Sequence, residues 1–117
     1  IERVFSEVRQ RLDDFIQQDE YYSFLSDLIK KSCIEAGEGE LQVFITSRDK
    51  KKLKDKINEL SKEIPSSVLA FHEAGEDIIG GCSVINKSLN IMVDNTLLSK
   101  LQEAREKFFE SSELIIQ

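Results

Sequence analysis

At 117 residues, with 40% hydrophobic and 32% charged side chains, the chain has the size and composition of one soluble domain that can bury a core without disulfides or a structural metal. No apolar run reaches the roughly 20 residues that a bilayer-spanning helix needs, so direct membrane insertion is not expected. The formal net charge of -6, from 16 Lys and Arg against 22 Asp and Glu, argues against broad binding to nucleic acid or anionic lipid.

The chain begins at Ile1, inside a helical pattern, which predicts a piece of a longer protein. Over 1–18, Val4, Phe5, Val8, Leu12, Phe15 and Ile16 recur at helical spacing between charged positions, as in an amphipathic helix. A second helical pattern covers 21–36, with Tyr22, Leu25, Leu28, Ile29 and either Ser32 or Cys33 on one face and Gly37 and Gly39 as candidate C-caps. Two helices and one bent helix both fit this stretch. Residues 41–46, LQVFIT, alternate Leu41, Val43 and Ile45 with Phe44 and predict a strand well inside a sheet. Ser47 is a candidate cap for one crossover helix carrying Leu53, Ile57, Leu60 and Ile64 up to Pro65.

A second strand is expected over 68–73, then an acidic loop over 74–79. Residues 80–101, GGCSVINKSLNIMVDNTLLSKL, are the most explicit stretch. Cys82 and Val84 alternate with Ser83 and Ile85, Asn86 to Ser88 supply a turn, and Leu89, Ile91 and Val93 alternate again, which predicts a β-hairpin. Asp94, Asn95 and Thr96 then offer capping side chains for a last helix bearing Leu97, Leu101, Ala104, Phe108 and Ile115 on one face. The expected fold is a single α+β domain over 1–117, of order ααβαβββα, with a small, mostly antiparallel four-stranded sheet covered by helices on one face.

No catalytic, cofactor or metal site is expected. His72, the only histidine, lacks triad partners and a ligand spacing. Gly80-Gly81 precedes a strand and lacks the Lys-Ser/Thr of a phosphate loop, so backbone freedom explains it better. Cys33 and Cys82 read as reduced core thiols. The lysine run at 50–56, KKKLKDK, reads as a solvated face in preference to a phosphate or nucleic-acid patch. Its lysines are expected in a first helical turn, where the dipole disfavours them. Val4, Phe5, Val8 and Leu12 are the candidate partner-binding residues, because their stripe starts before a globular body could cover it.

The chain resembles the E subunit of the peripheral stalk in V-type and A-type rotary ATPases, in its C-terminal globular region. The resemblance rests on Gly80-Gly81 leading into a hairpin, then Val93 to Leu97 (VDNTL), Lys100 and Leu101. Tyr21, Tyr22, Leu25, Leu28 and Ile29 in one helix, and Asp49 at the next helix start, support it. Lys100 and Cys82 stand where the family more often has Arg and an aliphatic residue. The resemblance implies a noncatalytic stator component on the cytoplasmic side of a membrane complex. Residues 1–18 would end a long stalk helix that pairs with the small helical G subunit, and the globular head would attach to the nucleotide-binding head chiefly through the B subunit. A flagellar or type III export ATPase stator, and a nucleic-acid-binding α+β module, are the alternatives.

Overall fold

A computed structural model describes residues 2–64 and 67–116, with side chains described for 3–64 and 67–108. Helices α1 (Glu2–Phe15) and α2 (Asp19–Ala36) are separate, joined by a turn in which Gln18 N–H donates to Phe15 O at 3.0 Å. Strand β1 (Gly39–Thr46) leads into α3 (Ser47–Lys52) and α4 (Ile57–Glu63), then β2 (Ser67–Ala74), a 3-10 turn (Glu76–Ile78), β3 (Gly81–Asn86), β4 (Ile91–Thr96) and α5 (Leu97–Ile116). The expected stop at Pro65 and the Ile115 position lie outside the described side chains.

The four strands form one sheet in the order β2-β1-β3-β4, with β1 and β2 parallel and the other two pairings antiparallel. β1 is therefore central, and the α3–α4 crossover returns the chain in the same direction for β2. Leu41, Val43 and Ile45 of β1 and Cys82 and Val84 of β3 are all buried, against Leu25, Ile29 and Cys33 of α2. Leu69 and Phe71 of β2 and Ile91 and Val93 of β4 extend this core while half-buried. The alternate residues point to the opposite face, where Val68 and Met92 are exposed and His72 stacks on Phe44 with ring centroids 5.2 Å apart. Period-two alternation thus assigns one sheet face to the helices, as expected.

Three local expectations are corrected. The crossover is two short helices, because a continuous helix would set Lys50 against Lys54 and Lys52 against Lys56 at i,i+4, while buried Leu53 anchors the break. The cap is Thr46 and not Ser47: Thr46 Oγ1 accepts from Asp49 N–H at 3.1 Å. Lys50, Lys51 and Lys52 consequently fall in the last turn of α3, where the helix dipole favours them. In the hairpin, Leu89 belongs to the turn and not to the second strand. Asn86 Oδ1 accepts from Leu89 N–H, and Asn90 takes a left-handed φ of 55° that Asn tolerates better than most residues.

The hairpin's exit into α5 matches the expected cap. Thr96 Oγ1 accepts from Ser99 N–H at 3.3 Å, while Asp94 accepts from the Thr96 N–H and the Thr96 and Ser99 hydroxyls. Buried polar side chains tie the layers together. Asn86 Nδ2 donates to the carbonyls of Ala36 and Glu38, stapling the hairpin to the end of α2, and Asn95 Nδ2 donates to Ser32 Oγ at 2.7 Å.

Candidate partner interface

The four candidate partner-binding residues divide into two pairs. Val4 and Val8 are exposed, at 53% and 37%, whereas Phe5 and Leu12 are half-buried within the chain. Phe5 meets Phe108 of α5 edge-to-face, with centroids 5.9 Å apart and planes at 81°, and Leu12 packs on the main core. The helical spacing of the stripe places these residues on neighbouring lines of α1, so Phe5 closes against α5 and Leu12 against the core while Val4 and Val8 face outward. Between the two helices runs a shallow groove of about 280 Å³, lined by Phe5, Arg9, Leu98, Leu101 and Arg105 among others. Phe108, 43% exposed, borders the same helix pair. The α1–α5 pair can thus offer a hydrophobic line to a further helix.

Sequence reasoning missed Phe108 as a partner of Phe5, because the two are about as far apart as the chain allows. It also missed the polar hub beneath the helices. Tyr21 is fully buried, its hydroxyl donates to Asp49 Oδ2 at 2.7 Å and accepts the Gly81 N–H at 2.9 Å. The spacing Thr46-Ser47-Arg48-Asp49, like a capping box with Asp in place of Glu or Gln, marks Thr46 as a cap but carries no sign of Tyr21. Burial pushes the Asp49 carboxyl up, and the Tyr21 hydroxyl, Thr46 and the Arg48 guanidinium pull it only part of the way back. Arg48 itself donates to the Ile16 carbonyl at 2.9 Å and so braces the end of α1.

The remaining candidates are scaffold by their surroundings. Cys33 and Cys82 are free and buried, and burial raises both thiols, to about 12 and about 11. Gly81 takes a left-handed φ of 77°, and a Cβ there would also lie 2.5 Å from Asn95 O. Gly80 has a different reason: a Cβ would lie 2.6 Å from the Tyr21 hydroxyl. Among the described residues no group of His, Cys, Asp or Glu is placed to hold a metal ion, and no helix is long and apolar enough to cross a membrane.

A family model described as "ATP synthase (E/31 kDa) subunit" matches residues 1–111. The E subunit of the A-type ATP synthase of Thermococcus onnurineus is 31% identical over 106 residues, covering 87% of this chain and 52% of the relative. The E subunit, numbered 2, of the V-type ATP synthase of Clostridium tetani is 27% identical over 109 residues, covering 92% of this chain and 51% of the relative. The chain thus spans about half the length of these curated relatives. With the match running from the first residues of α1 into α5, the chain belongs to the ATP synthase (E/31 kDa) subunit family.

Proposed function

We propose that this chain is the globular C-terminal part of a noncatalytic peripheral-stalk component of a V/A-type rotary ATPase. In this role it joins the stalk to the nucleotide-binding head on the cytoplasmic side and resists the torque of the turning rotor. The observation that carries this reading is the family match over 1–111, which takes in α1 and most of α5. Residues 1–18 are the end of a longer stalk helix, residues 1–117 form one globular unit, and the exposed line of Val4 and Val8 continues a helix pairing with the G subunit. The head then meets the catalytic ring chiefly through the B subunit.

A helix pair fused to a sheet with a close-packed core suits a stator, because bistable or loosely packed elements would yield under load. The test is to express the full-length chain with the other components of its ATPase and isolate the complex by a tag on a catalytic subunit. The expected result is a stoichiometric chain in the complex and a stable one-to-one pair with the small helical stalk protein. A complex that assembles and hydrolyses ATP with normal coupling when this chain is deleted would overturn the role.

A further inference from the structure

We propose that the lysine-rich α3–α4 crossover is a docking surface for an acidic segment of a partner polypeptide within the assembled complex. The proposal rests on the stalk reading for the existence of that complex. Five lysines, Lys50, Lys51, Lys52, Lys54 and Lys56, occur within seven residues of a chain whose formal net charge is -6. None of the five makes a salt bridge among the described residues, although acidic side chains are more numerous than basic ones in this protein. Lys51, Lys52, Lys54 and Lys56 are exposed, while Leu53 between them is fully buried and fixes the backbone. The charge is thus concentrated on a short, anchored ridge rather than spread over a mobile tail. Self-repulsion at this density costs stability that an opposing row of carboxylates restores.

The surroundings select the class of partner. Beside the ridge is an open, shallow hollow of about 480 Å³ lined by Ser47, Arg48, Lys51, Lys52 and Glu76. Glu76 stands in its wall, and Glu73 and Asp77 are exposed nearby in sequence. A uniformly negative polymer or lipid surface would be pressed against these carboxylates. A polypeptide can place Asp or Glu against the lysines and a Lys, Arg or hydroxyl against Glu76. Segment 47–56 carries no aromatic side chain on which a base could stack, and its only large apolar residue, Leu53, is inside. The dipole of α3 favours lysines in its last turn, so the ridge is compatible with the fold while free.

The experiment uses the full chain in its isolated complex, treated with a water-soluble carbodiimide that joins ammonium to carboxylate only at ion-pair distance, followed by peptide mass spectrometry. The expected result is amide links from Lys51, Lys52 or Lys54 to Asp or Glu of another protein of the complex. The triple variant K51E/K52E/K54E should fold, with a wild-type circular-dichroism spectrum, yet assemble about tenfold more weakly, with the wild-type advantage shrinking as salt rises. Links confined to this chain or to a second copy of it, or a triple variant that assembles as well as wild type, would overturn the proposal. Protection of the lysines by nucleic acid instead of protein would do the same. A chain that joins no complex defeats the stalk reading first and this one with it, whereas a chain that joins the complex with its lysines unlinked defeats this one alone.

Discussion

Tyr21 and Asp49, 28 residues apart, share a buried hydrogen bond of 2.7 Å that pins the start of α2 to α3, and the same tyrosine oxygen holds the Gly81 N–H that begins β3. Replacing Tyr21 with Phe removes the donor for a buried carboxylate and the acceptor for a buried amide. The expected loss is about 3 kcal/mol at neutral pH, read by urea unfolding. Asp49→Asn keeps an oxygen that can accept from Tyr21 and should cost about 1 kcal/mol. A Tyr21→Phe variant as stable as wild type would show that the hub contributes nothing.

The same hub sets a pH dependence. The folded-state carboxyl of Asp49 is raised above its ordinary 3.8 by burial, so the folded protein holds that proton more tightly than the unfolded chain. Its contribution is therefore fully present below 3.8 and lost as pH rises through the raised folded value. Asp94 runs the other way. Burial raises it, but the Ser99 hydroxyl, the Thr96 N–H and hydroxyl, and Lys100 outweigh that and leave it lowered. Its contribution is present above 3.8 and lost as pH falls through the lowered folded value. Unfolding free energies measured across the acidic range should show the decline above 3.8 flattened in Asp49→Asn and the loss below 3.8 reduced in Asp94→Asn.

The adjacent glycines should respond for different reasons. Gly81→Ala forces a side chain into a left-handed φ of 77° and against Asn95 O, at an expected cost of about 3 kcal/mol. Gly80→Ala displaces the Tyr21 hydroxyl, so its cost should shrink when Tyr21 is already Phe, while that of Gly81→Ala should not. A double-mutant cycle in urea measures both.

If the proposed stalk role holds, Val4→Asp with Val8→Asp should leave the chain folded and weaken the proposed pairing with the small helical stalk protein by about tenfold or more. These two valines are the exposed members of the stripe. Phe5→Ala should instead cost the isolated chain about 1 kcal/mol through its lost edge-to-face contact with Phe108. Loss of folding in the valine variant would make them ordinary core.

Both thiols should resist alkylation in the native protein at pH 8 and react fully in urea. Burial holds Cys33 near 12 and Cys82 near 11, so neither offers appreciable thiolate. Labelling of the folded chain within minutes, followed by mass spectrometry, would instead reveal opening between α2 and β3.

Patterns with short periods were legible in the amino-acid sequence. The alternation of Cys82 and Val84, then Ile91 and Val93, marked the hairpin, and Leu41, Val43 and Ile45 marked a central strand. The family followed from residues that turn out to pack or cap, such as Tyr21, Gly81 and Thr96. What local pattern could not convey was who meets whom. Periodicity says that Phe5 wants a covered side but does not name Phe108, and Asp49 in a charged run carries no sign of the tyrosine 28 residues before it. The break at Leu53 was hidden because Leu53, Ile57, Leu60 and Ile64 keep helical spacing across it. Only the repulsion between lysines a turn apart spoke against continuity.

The sheet order carries a final consequence for the rates at which amide protons exchange with solvent. β1 is flanked by hydrogen-bonded neighbours on both sides, whereas β2 is bonded through one edge and is reached only after the whole crossover has closed. Exchange should accordingly be slowest in β1 and β3 and fastest in β2, which peels away before the local β3–β4 hairpin opens. The first partly unfolded form of this protein is then a three-stranded sheet whose exposed edge is its own central strand, a template for pairing with another chain.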